Sequence, residues 1–138
     1  MTSDLAHLDD LVEAQDRGAD LTIMHPVTFE PMPDVVLTIA GPDSDVARRA
    51  RLKFQDEMLA FKGRPPADEY DRLDIDRLAR CVVGWRVKRN GKDAAFSFTA
   101  VVKLLANFQF IREQAEQFSQ SRAPYFMRLP MGEGDGQS

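Results

Sequence analysis

Cys81-Val82-Val83-Gly84-Trp85 opens the stretch on which the fold turns. It continues through Arg89-Asn90-Gly91-Lys92-Asp93 and Phe96-Ser97-Phe98 into an evenly spaced apolar series. Val101, Leu104, Leu105, Phe108, Ile111, Ala115 and Phe118 recur at intervals of three and four, which aligns them along one side of a helix predicted over residues 98–120. Ser97 or Thr99 supplies its cap, since a hydroxyl oxygen can accept from an otherwise unpaired amide of the first turn. Phe98, Val102, Phe110 and Ile111 widen the stripe, so the helix needs more than one covering surface, the second being another subunit or another protein. Asn90-Gly91 is a tight-turn signal, and residues 85–87 are expected to pair briefly with residues 95–98 across it. Trp85, the only tryptophan, follows a glycine that lets the chain leave the preceding helix. Its indole either folds back onto the long helix or lies open to a partner.

Moving toward the N-terminus, that preceding helix is predicted over 68–83. Tyr70, Leu73, Leu78, Ala79 and Val82 face inward, and Arg72, Asp74, Asp76, Arg77 and Arg80 outward. Gly63-Arg64-Pro65-Pro66 separates it from a helix over 43–62, which Gly41-Pro42-Asp43-Ser44 starts. Val46, Ala50, Phe54, Met58 and Phe61 form its core face. Arg48, Arg49, Arg51 and Lys53 on the other face read either as a phosphate-binding patch or as a solvated flank; balance by Asp45, Asp56 and Glu57 favours the flank.

Leu21-Thr22-Ile23-Met24 and Asp34-Val35-Val36-Leu37-Thr38-Ile39-Ala40 are rich in β-branched residues and read as a hairpin over 21–40. The connection between them holds three prolines, which bars it from a central strand because proline lacks the ladder's amide proton. Residues 1–20 form an N-terminal arm with a short helix, Leu5, Leu8, Leu11 and Val12 on one side and acidic residues on the other. Residues 122–138 read as a flexible tail, most clearly at the glycine-rich end from Gly132. The expected fold is α+β and mainly helical, an N-terminal β-hairpin packed on a bundle of three to four helices, with one globular domain over 21–121.

A chain of 138 residues holds one domain. Its longest apolar runs fall short of a bilayer, and the acidic N-terminus has no signal-peptide pattern, so the protein is expected in the cytoplasm with no membrane partner. The single cysteine, Cys81, precludes an internal disulfide, and its apolar neighbours make it a small buried hydrophobe. A net charge of -4 argues against nucleic acid as the main partner. His7 and His25 lie in different elements and far from Cys81, so no metal-ligand spacing exists. Asp43 with Asp45 and Asp74 with Asp76 read as helix charge, and neither a phosphate cradle nor a serine elbow appears. No catalytic residue, metal or cofactor is assigned, and the chain is read as a non-enzymatic binding or assembly protein.

The order of these parts is a proline-rich hairpin, Gly41-Pro42-Asp43-Ser44 opening a charged helix, and Val82-Val83-Gly84-Trp85. Asn90-Gly91-Lys92, Phe96-Ser97 and the Leu104-Leu105 to Phe118 helix follow. Over residues 21–118 it resembles the small tail assembly chaperones of long-tailed bacteriophages and related prophages. The resemblance implies a protein of the bacterial host cytoplasm that binds the tape measure protein, keeps it soluble, promotes polymerisation of tail-tube protein around it and leaves before the virion is mature. A longer frameshifted form is common in that family. The Arg-rich helix and Tyr125-Phe126-Met127 have no counterpart in its pattern. Trp85, Leu105, Phe108, Phe110 and Phe118 are the candidate partner-binding residues for a helix-in-groove contact, and self-association is a further expectation. The competing reading is a structural virion component, a tail or head-tail connector protein, that uses the hairpin for strand addition.

Overall fold

The computed structural model describes residues 4–126. Helix α1 (Leu5–Arg17) leads into β1 (Ala19–Met24) and β2 (Pro31–Ile39). Two helices follow, α2 (Asp45–Leu59) and α3 (Ala67–Cys81), then β3 (Val82–Arg89), β4 (Lys92–Asp93), α4 (Phe98–Asn107), α5 (Gln109–Ser119) and the short α6 (Ala123–Phe126). The strands form one antiparallel sheet in the order β1-β2-β3-β4. The fold is α+β, as its residue patterns predict, but the hairpin does not stand alone. Val82-Val83 are strand where a helical end is expected: the helix stops at Cys81, Val82 pairs with Ile39, and the Ala40 amide donates to the Cys81 carbonyl at 2.8 Å. Two β-branched residues beside an unpaired strand edge gain more from the ladder than from another helical turn.

Because successive side chains alternate across a strand, the pairs Leu21↔Leu37, Val35↔Val87 and Leu37↔Trp85 place these residues on one face. That face meets Leu78, Val101, Leu105, Ile111 and Ala115 of α3, α4 and α5 in a single core. On the opposite face, beside the buried Val36, Asp20 accepts from the Thr38 hydroxyl at 2.7 Å and pairs with Arg86 at 3.2 Å. Pro31 and Pro33 lie within central β2, contrary to expectation. The register jumps from Met24↔Pro31 to Thr22↔Val36, so the prolines occupy the interrupted part of the ladder where no amide is required. The β3–β4 turn is tighter than predicted, pairing Arg89 with Lys92, with Asn90 (φ 53°) and Gly91 (φ 77°) both left-handed as a two-residue hairpin turn demands.

The helix predicted over 98–120 breaks at Phe108, whose φ of -130° and ψ of 93° are those of extended chain. Phase explains the break. Leu105 and Ile111 are six residues apart, and a straight helix would turn one about 120° from the other; the break lets both enter the core. Ser97 caps α4 by accepting from the Ala100 amide at 3.0 Å, and Ser44 caps α2 by accepting from Ala47 at 3.0 Å. Arg77, expected to point outward, is mostly buried and ties α3 to α5 through Glu116 at 2.5 Å and Asp74 at 3.0 Å. Arg112 closes the same seam through Asp71 and Asp74.

A polar clamp is built around Asp43. Arg122 grips the Asp43 carboxylate with two nitrogens at 2.6 and 2.9 Å, and the buried Tyr125 hydroxyl donates to the Ile39 carbonyl at 2.6 Å. The segment expected to be flexible from residue 122 is therefore docked as far as Tyr125; the rest of that expectation, including Gly132 onward, lies outside the described residues. From the other side, Gln15 accepts from the Asp43 amide at 2.7 Å and donates to its carboxylate at 3.1 Å. This holds α1 by its C-terminal end, burying Ala14 and Gln15, while Leu5, Leu8 and Val12 remain 76%, 47% and 37% exposed. Leu5, Leu8 and Val12 thus face solvent, while Leu11 on the same side is half-buried.

Arg122, by hydrogen bonding and against a smaller opposing effect of burial, holds the Asp43 carboxyl below its usual range. A carboxylate of lowered folded pKa stabilises above its unfolded value and loses that contribution as pH falls through the folded one. Asp43→Asn should therefore lower the melting temperature at neutral pH, with a deficit that narrows below about pH 4, measured by thermal melts across pH. Tyr125→Phe leaves the buried Ile39 carbonyl short of its donor and should cost about 1–2 kcal/mol in urea denaturation.

Candidate protein-docking groove

The inward face of β3 runs out beyond the core. At that end Trp85 and Val87 meet the side of α4 that carries Ala100, Leu104 and Phe108, leaving a groove of about 210 Å³. Three local features shape it. The tight Asn90-Gly91 turn sends the chain back so that the Ala94 amide donates to Val87 at 2.8 Å, and the Trp85 indole donates to the Ala94 carbonyl at 2.9 Å. Phe96 then meets Trp85 edge to face, ring centroids 5.8 Å apart. Finally, the spacing of Ala100, Lys103, Leu104, Asn107 and Phe108 gives α4 a second stripe, set apart from the fully buried Val101 and Leu105.

Cations line the rim. Lys88 pairs with Asp93 at 2.9 Å, which raises its pKa, whereas Arg89 and Lys103 make no ion pair among the described residues. The floor is apolar and the edge positive, a surface complementary in charge and polarity to an apolar segment flanked by carboxylates. A second hollow of about 310 Å³ adjoins it across β3, bounded by Pro33, Asp34 and Arg86.

The five candidate residues do not form one surface. Trp85 and Phe108 line the groove together. Leu105, 1% exposed, belongs to the core and presents no surface in the folded chain. Phe110 packs on that core beside Phe108, ring centroids 6.1 Å apart. Phe118 lies away from the groove, against Tyr125 and beside a cleft with Leu21, Gln114 and Gln117. Leu104, Arg89 and Lys103 are the groove residues that sequence reading missed; the four-residue step from Ala100 to Leu104 to Phe108 was the available signal.

Among the described residues no group of three or more His, Cys, Asp or Glu side chains is placed to hold a metal ion, and no helix is long and apolar enough to cross a membrane. The Cys81 thiol is buried, and burial pushes its pKa up. Arg48 and Arg49 both pair with Asp45 on the exposed face of α2.

Phe108 is 40% exposed and occupies the N-cap of α5 without a side-chain hydrogen bond, a position better served by Ser or Asp. Phe108→Asp adds a capping carboxylate as it removes apolar contact, so stability should change by about 1 kcal/mol or less, whereas Leu105→Ala should cost about 2–5 kcal/mol in urea denaturation. No protein-family model, curated protein or solved structure matches this chain.

Proposed function

We propose that this protein is a tail assembly chaperone of a long-tailed bacteriophage or prophage, non-enzymatic, acting in the bacterial host cytoplasm. It binds apolar helical segments of the tape measure protein, keeps them soluble and yields them to tail-tube protein as the tube forms. The observation that carries this reading is the groove at Trp85, Leu104 and Phe108 with its Lys88, Arg89 and Lys103 rim. A long helix with an unshielded apolar stripe self-associates until something covers it. A groove of this size covers only a short length, so each copy contributes modest affinity and several copies along the stripe remain exchangeable. The net charge of -4 adds repulsion between the resulting complexes.

A second reading, a structural component of the virion, is favoured by one feature. β1 is an edge strand, and the Met24 amide and carbonyl on its outer side are held by the Gln114 side-chain amide at 2.8 and 2.9 Å, as a neighbouring strand would hold them. Mass spectrometry of purified particles separates the two, since a stoichiometric complement in mature virions fits only a structural role.

Co-expression with candidate tape measure proteins tests the chaperone reading. Their soluble fraction should depend on this chain and should fall several-fold with Phe108→Asp or Lys103→Glu. Full rescue by both variants would remove the groove from the function.

A further inference from the structure

The groove has a complement on the same molecule. Leu5, Leu8 and Val12 stand at i, i+3 and i+7 on α1, the spacing with which a helix inserts anchors into a groove, and all three are exposed. Asp9, Asp10 and Glu13 accompany them on the same helix and make no ion pair among the described residues. Across the whole chain the first 47 residues carry ten carboxylates and one cation, Arg17, while the remaining 91 carry 12 carboxylates and 17 cations. An apolar helix bordered by acid thus stands at one end of the molecule and an apolar groove bordered by base at the other. Lengths agree too: 13 residues of α1 span about 20 Å and the ten of α4 about 15 Å.

The helix does not reach the groove of its own chain. α1 leads directly into β1, packs against α2 and α6, and is clamped at Gln15; the groove lies between the outer end of β3 and α4, two strands away from β1 in the sheet order. We propose that α1 of one copy docks in the Trp85–Phe108 groove of a second copy, Leu5, Leu8 and Val12 on its apolar floor and Asp9 and Glu13, on the adjoining flank, toward Arg89 and Lys103. The contact joins unlike surfaces, so each bound copy still offers a free α1 or a free groove and association continues head to tail. An anionic lipid surface is the wrong cover for this helix, because its polar face carries carboxylates where interfacial helices carry lysine and arginine. This inference rests on the groove being the docking site proposed above, and it adds regulation: a second copy's α1 occupies the groove until a helical client displaces it.

Sedimentation velocity of the purified full chain, without any client, provides the test. Self-association should increase with protein concentration, weaken with added salt, and fall at least about tenfold with Leu8→Asp or with Lys103→Glu. Leu8 and Lys103 are exposed side chains, and unchanged melting curves would exclude unfolding as the cause. The decisive sample is an equimolar mixture of the two variants. Leu8→Asp retains a working groove and Lys103→Glu a working helix, so the mixture should form dimers that stop at two copies. A wild-type chain that stays monomeric to its solubility limit, or a mixture that stays monomeric, overturns the proposal. Client rescue is read separately: loss of self-association with rescue intact in Leu8→Asp supports both assignments, while intact self-association with no rescue by wild type removes the chaperone role alone.

Discussion

The pairing of β3 with β2 is the constraint on which the remaining structure depends. A two-stranded hairpin is marginal in water, and the third strand converts β2 from an edge into the centre of a sheet whose inner face is wide enough to seat three helices. The same register sets Trp85 opposite Leu37. The indole therefore points to the helical side of the sheet, at the place where the core ends and α4 begins. Had the helix before it continued through Val83, β2 would lose its pairing at Val82 and the groove its β3 wall.

The break at Phe108 is the second half of that arrangement. It reconciles two apolar series that are out of phase with one another, and it frees Phe108 from the core. The result is a helix end that carries a half-exposed aromatic ring where a capping side chain would serve stability better. Local rules broken without local compensation tend to coincide with function, and here the broken rule lies on the lip of the groove.

Charge arranges the molecule at a longer range. Asp20 joins β1 to β3 through Arg86, Asp43 holds the C-terminal segment through Arg122, and Asp16 of α1 accepts from the Val46 amide of α2; Asp9, Asp10 and Glu13 of α1 are exposed, as are Leu5 and Leu8. Arg89 and Lys103 make no ion pair among the described residues. In the associations proposed above, this charge distribution would draw unlike ends together, and added salt would weaken the attraction because the groups involved are exposed.

Residue type and spacing alone determined the α+β class, the helix caps at Ser44 and Ser97, the tight turn at Asn90-Gly91, the two hairpin strands and the apolar stripes of α3 and α4. Each of these is a local preference, complete within a few neighbouring residues. They did not determine how much of each stripe would be buried: α1 has an apolar side, yet a glutamine and an aspartate 28 residues apart hold it only at its C-terminal end and leave Leu5 and Leu8 exposed. Tertiary structure alone also decided that Val82-Val83 extend, that the last long helix breaks, that Leu105 is core while Phe108 is surface, and that Tyr125 is anchored. In each case the deciding partner is remote in sequence, Ile39 for Val82 and Tyr125, the shared core for Leu105 and Ile111, and a contact of that kind leaves no trace in the local pattern.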